Sequence, residues 1–185
     1  MVENKNPWIV KGEKAIYDNA WINVTEYDVI NPSGGKGIYG KVHFKNTAIG
    51  IIALDPKRNI WLVGQYRFVL NEYSWEIPEG GCPEGEDYLT AAKRELLEET
   101  GLVAQSWRQL MKLHLSNSVT DELAFVFLAT QLDQKTASPE DTEELMVKKM
   151  PFEEAVKMVE QGEITDAISV AAIQRVQLLL LSNTL

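Results

Sequence analysis

The stretch GGCPEGEDYLTAAKRELLEETGL, Gly80–Leu102, decides how this chain is read. Its first part is a loop in which Gly80, Gly81 and Gly85 permit unusual backbone angles and close approach of a ligand. Asp87 is placed to cap a helix. Tyr88–Thr100 reads as that helix, because Leu89, Ala92 and Leu96 recur at burial spacing and Gly101 stands where a helix stops. Glu95, Glu98 and Glu99 stand at i, i+3 and i+4, so their carboxylates share one face, where like charges repel by a few tenths of a kcal/mol. They also lie near the helix C-terminus, where the macrodipole disfavours each by about 0.3–1 kcal/mol. Local energetics oppose the arrangement, and a hard divalent cation reverses its sign. The competing reading is a solvated acidic helix with Arg94 paired to Glu98 at i+4.

The flanking sequence supplies strands. Ala15–Ile30 and Gly37–Phe44 are rich in Ile, Val, Tyr and Trp and enclose the turn Asn31-Pro32-Ser33-Gly34-Gly35, which predicts an antiparallel hairpin. A second pair, Ala48–Leu54 and Asn59–Tyr66, flanks Asp55-Pro56-Lys57-Arg58. Tyr73–Ile77 is a short strand entering the glycine loop, Pro78–Gly85. Trp107–Leu115 and Leu123–Leu132 come next as strands, the latter apolar enough for burial on both faces. After a polar loop, Gln134–Glu144, the pattern gives a strand at Leu145–Lys149. A helix at Phe152–Glu160 ends near Gly162, and a longer one spans Ile164–Leu181, capped at Thr165 or Asp166. The fold class expected is α/β (α+β), a mixed sheet between helices preceded by an antiparallel strand region, divided at residues 1–46 and 47–185.

Composition narrows function. A chain of 185 residues suits one compact core. Its net charge of −9 lacks the basic surface that neutralises a nucleic-acid backbone. An anionic substrate therefore calls for a cation, and carboxylates that hold a divalent metal provide one. One cysteine, Cys82, excludes an intramolecular disulfide framework or a cysteine-built zinc site. The polar start, Met1–Pro7, and the absence of an apolar run near the ~20 residues that span a bilayer lead to an expectation of cytoplasmic location without membrane or nucleic-acid partners.

Gly80, Glu86, Arg94-Glu95-Leu96, Glu98-Glu99 and Gly101-Leu102 fall, without a gap, at every fixed position of the box that marks the Nudix hydrolases, and the segment resembles that family. The resemblance implies a Nudix-type α/β/α sandwich and Mg²⁺, or Mn²⁺, held by Glu95, Glu98 and Glu99 with a main-chain carbonyl of Glu79 or Gly80. It also implies that Arg94 and Glu86 support those ligands, and that a glutamate on a loop after the box acts as general base. Glu143 is the first choice and Glu144 the second. Gln65-Tyr66-Arg67, Trp75-Glu76-Ile77-Pro78 and Asp166-Ala167 resemble the branch that hydrolyses ADP-ribose and other nucleotide sugars. In that light Arg67 grips a phosphate, Glu76 accepts from a base or ribose hydroxyl, and Gln65 lies beside them.

The region before Ala48 resembles that branch's N-terminal extension, which implies a homodimer whose subunits together build the nucleoside pocket. The apolar last helix, with Val176 and Leu178 to Leu181, serves either a core or a partner. A departure keeps GDP-mannose, or broad nucleotide-sugar activity, as the alternative: Ser116-Asn117-Ser118-Val119-Thr120-Asp121-Glu122 stands where many ADP-ribose hydrolases carry Ser-Pro-Gly. A triphosphate-cleaving sanitation enzyme and a non-catalytic binding module rank lower. The first is usually shorter, and the second would have lost one of the three glutamates.

Overall fold

The computed structural model describes residues 5–135 and 145–185. The chain forms two compact units, one running to Asn46 with Ser116–Glu122 added, the other comprising Thr47–Leu115 and Leu123–Leu185.

The first unit is an antiparallel meander of β1 (Ile9–Asp18), β2 (Ile22–Ile30) and β3 (Lys36–Phe44). The expected hairpin forms with Ile30 opposite Lys36, closed by Asn31, whose side chain accepts from the N–H groups of Ser33 and Gly35. The strand expected over Ala15–Ile30 is broken. At Asn19 the side-chain oxygen accepts from the N–H groups of Trp21 and Ile22, an Asx turn that outcompetes ladder bonding and reverses the chain. Ser116–Glu122 adds to this unit through Val42 N–H to Val119 C=O at 2.9 Å and through His43 Nδ1 with Asp121 at 2.8 Å.

In the second unit β4 (Thr47–Ala53) lies between β7 (Glu79–Cys82) and β9 (Leu123–Gln134), with β8 (Leu102–His114) beyond β9. The β4–β9 pair is parallel and its neighbours are antiparallel, so the sheet is mixed. A separate antiparallel sheet orders β10 (Met146–Pro151), β5 (Asn59–Arg67) and β6 (Glu72–Glu76). The turn at Asp55–Arg58 is where the sequence puts it, but β4 and β5 do not make a hairpin. Both edges of β4 are taken by β7 and β9, so beyond one bridge, Leu54 to Ile60, β5 pairs with β10 and β6 instead. Part of the expected glycine loop is strand β7, because Glu79–Cys82 complete the β4 edge.

Alternation along β4 and β9 builds two cores. Ile49, Ile51, Ala53, Phe127 and Ala129 pack with Ala91, Ala92 and Leu96 of α1 (Tyr88–Thr100). Ile52, Val126 and Leu128 pack on the opposite face with α2 (Phe152–Glu160) and α3 (Ala167–Leu181), giving the α/β/α sandwich. At about 25 cal/mol per Å² of apolar area, cores of this kind are the main term that holds such a sheet together. Helix α3 starts at Ala167 because Asp166 caps it, accepting from Ser169 N–H at 2.7 Å, and Ile164 is buried ahead of it. Val176 and Leu179 of α3 face the core, whereas Leu178 and Leu181 are exposed. No helix among the described residues is long and apolar enough to cross a membrane.

Candidate active site

Helix α1 is fixed at both ends as its sequence dictates. Asp87 accepts from Thr90 N–H at 3.0 Å, and Gly101, at φ 70°, closes the last turn by donating to Leu97 C=O. The core face of Ala91, Ala92 and Leu96 sets the helix rotation and carries Glu95 and Glu99 to the β7 strand. These carboxylates are buried, Glu95 at 9% exposure and Glu99 at 3%. A Cβ on Gly80 would overlap the Glu95 carboxylate carbon and both its oxygens, so only glycine leaves room for this acid against the strand. Glu99 accepts from the Glu79 N–H at 3.0 Å.

Arg94 spreads its fork over the rest. Nη1 donates to Glu95 at 2.7 Å and Glu98 at 3.1 Å, and Nη2 donates to Gly81 C=O at 2.8 Å and Glu86 at 3.1 Å. Hydrogen bonds to Glu86, outweighing burial, and the charge of Glu95 push its pKa further up. The i+4 pair with Glu98 is therefore real, yet it is one bond of a larger network. Glu95 and Glu98 share Arg94 while Glu99 takes the Glu79 N–H, and among the described residues no group of three acidic, histidine or cysteine side chains has its donors already converged.

A second network is centred on Arg67 of β5. In the β5–β6 register Gln65 faces Ser74, so Gln65, Arg67, Ser74 and Glu76 share one sheet face. This brings the three substrate-site candidates together. Arg67 Nε donates to both oxygens of Glu76, at 2.9 and 3.1 Å; Nη2 also donates to Glu76 and reaches Glu79 Oε1 at 2.9 Å. Glu76 is almost fully buried and the pair is bidentate, a strong form of the contact. Hydrogen bonds to Glu76 raise the Arg67 pKa against the opposing effect of burial.

The side chain of Glu79 is the feature that sequence reasoning missed, since only its main-chain carbonyl was singled out. An acid directly before the box glycine was the available signal. Burial, followed by the charges of Asp166 and Glu76, pushes its carboxyl well above the ordinary range, with Arg67 opposing. Its Oε2 atom is buried without a hydrogen-bond partner among the described residues. Glu143 and Glu144 lie outside the described residues.

The donor set suits a hard divalent cation. Around β7, Glu76, Glu79, Glu86, Glu95, Glu98 and Glu99 surround Arg67 and Arg94, leaving four negative charges in a half-buried space. All the candidate donors are oxygens.

Comparisons with known proteins agree. The NUDIX domain model matches residues 44–172. An ADP-ribose pyrophosphatase of Bacillus subtilis is 32% identical over 169 residues, covering 90% of each chain. An ADP-ribose pyrophosphatase of Mycobacterium tuberculosis is 33% identical over 150 residues, covering 79% of this chain and 72% of the relative. A crystal structure of an ADP compounds hydrolase superposes with TM-score 0.86 at 19% identity, over 99% of this chain and 100% of that one, a likeness of fold. A family that uses a divalent metal on pyrophosphate bonds thus matches in sequence and fold, and this chain belongs to it: it is a Nudix hydrolase.

Proposed function

We propose that this chain hydrolyses the pyrophosphate bond of ADP-ribose, or of a related nucleoside diphosphate sugar, to a nucleoside monophosphate and a sugar phosphate. Mg²⁺ is the cation proposed, with Mn²⁺ able to replace it. The observation that carries the reading is the acid surplus at the end of α1, with Glu95 seated on Gly80. The substrate class is supported by the two ADP-ribose pyrophosphatases that match along most of their length.

Glu95, Glu98 and Glu99 would hold the metal, with a main-chain carbonyl of Glu79 or Gly80. When bound, the cation neutralises phosphate oxygens and makes water a better nucleophile. Arg94 keeps Glu95 and Glu98 aligned between turnovers, and Glu86 keeps Arg94 in place. Arg67, held flat by Glu76, presents a fixed cation to the diphosphate, and Gln65 lies on the same face. Glu143, or as second choice Glu144, takes the proton from the attacking water.

The protein is proposed to act in the cytoplasm as a homodimer. Trp21 and Ile38 on the first unit, and Phe68 and Val69 at the β5–β6 tip, are large apolar side chains left exposed, as at association surfaces. A monomeric mass at micromolar concentration would count against the dimer.

The assay is a panel of ADP-ribose, GDP-mannose, UDP-sugars and nucleoside triphosphates with Mg²⁺. The expected result is AMP with ribose 5-phosphate at the highest kcat/KM. Faster release from GDP-mannose moves the substrate, and product from triphosphates alone overturns the branch.

A further inference from the structure

The Arg94 network accounts for Glu86, Glu95 and Glu98, but the charges around Arg67 do not balance. The negative charges of Asp166, Glu76 and Glu99 all bear on the Glu79 carboxyl, and Arg67 is the cation that pairs with both Glu76 and Glu79. Arg67 is committed to both oxygens of Glu76 and to one oxygen of Glu79. The other oxygen of Glu79, Oε2, is buried with no hydrogen bond from any described residue, and the side chain as a whole is 12% exposed. A buried carboxylate oxygen left without a donor costs on the order of 1–3 kcal/mol, more when charged. The chain tolerates that cost here, beside Glu99, whose carboxylate accepts from the N–H of Glu79 itself. One short peptide thus joins a box glutamate to an orphaned acid.

We infer that the Glu79 side chain is a further ligand of the divalent cation, acting through Oε2 and sharing the ion with Glu99. The inference rests on the proposed metal-dependent reading and adds to the box a carboxylate that lies just before it. Arg67 then has a second duty. By occupying Oε1 it leaves Oε2 as the free donor, so the guanidinium sets which oxygen meets the metal. A proton on Glu79 is the rival way to relieve the same repulsion, and it predicts no role in metal binding.

The test is Mn²⁺ binding to the full chain without substrate, by titration calorimetry and by the free-Mn²⁺ electron paramagnetic resonance signal, for wild type, Glu79→Gln and Glu79→Ala. The inference expects the dissociation constant to rise about tenfold or more in both variants. It also expects the metal-induced rise in Tm to shrink, while circular dichroism without metal stays unchanged. The alanine variant, which buries no polar group, serves if the amide disturbs folding. Wild-type affinity and stoichiometry in a folded variant would overturn the inference and assign a proton to Oε2. If wild type then still cleaves ADP-ribose with Mg²⁺, the functional reading stands and only the role of Glu79 falls. If wild type neither binds Mn²⁺ nor cleaves a diphosphate, both fall.

Discussion

Arg94 and Arg67 are both arginines set among glutamates, yet they differ in what they leave undone. Arg94 distributes four acceptors over its fork: the Gly81 carbonyl, the buried Glu95, and Glu86 and Glu98, which keep contact with solvent. Arg67 grips one nearly inaccessible acid twice and reaches a second whose far oxygen stays unpaired. The first network is an alignment device for side chains that lie four residues apart or share a loop. The second is a charge imbalance held by the register of a different sheet. The difference teaches that a half-exposed network can be satisfied by its own helix, whereas a buried one exposes what is missing.

The comparison breaks most visibly at the box itself. Replacing Glu99 by Gln removes a buried carboxylate and should lower kcat by a factor of about 100 or more, read by product release from ADP-ribose at saturating Mg²⁺. A fall below about threefold would show that Glu99 does not serve the metal. Arg94→Lys should cost about 10- to 100-fold in kcat/KM, because an ammonium cannot span Glu86, Glu95, Glu98 and the Gly81 carbonyl together. Arg67→Lys sharpens the contrast. It should act on KM for the diphosphate more than on kcat, by about tenfold, since a point charge replaces a bidentate fork. Equal losses in kcat from both lysine variants would erase the distinction between the networks.

Gly80→Ala probes the cradle without changing a charge. Its methyl group would displace the Glu95 carboxylate from β7, at about 1–3 kcal/mol of stability, measured by denaturant unfolding without metal. A neutral result would mean that Glu95 is free to sit elsewhere.

The smallest effect is expected away from both networks. Burial raises the Asp55 carboxyl, but the hydrogen bonds from Asn59, then Lys149, outweigh it and hold the pKa at about 2 against an ordinary 3.8. A depressed carboxyl stabilises the fold above its unfolded value and loses that contribution as pH falls from about 4 toward 2. Asp55→Asn should therefore cost about 1–2 kcal/mol at pH 7 and almost nothing near pH 2, by chemical unfolding at each pH. A constant difference would assign the stability to turn geometry rather than to charge.

The contrast between the two networks also marks what could be read before folding. Asp87, the Ala92–Leu96 face and Gly101 are local instructions, so α1 falls on its expected residues, Tyr88–Thr100. The contacts of Arg94 stem from helix spacing and one loop. The break at Asn19 depended on a side chain that competes with the ladder, and a strand-rich run hid it. The separation of β4 from β5 was invisible because which edge a strand offers is decided by distant partners, here β7 and β9. Gln65, Arg67 and Glu76 were picked one by one as substrate contacts; the register puts all three on one face, and the side-chain contacts show that Arg67 and Glu76 hold each other. The Glu79 side chain escaped notice for the same reason: its partner Arg67 and the charges that act on it, Asp166 and Glu99, come from separate parts of the chain.

The central claim is that the crowded acids exist for a divalent cation that opens a diphosphate to water. Its most direct measurement is the turnover of ADP-ribose by purified protein, stripped with EDTA and then titrated with Mg²⁺, with products resolved by chromatography. The account predicts no turnover before the titration, and AMP with ribose 5-phosphate appearing in proportion to occupied metal. Full activity in EDTA, or saturating Mg²⁺ with every diphosphate compound left intact, would contradict it.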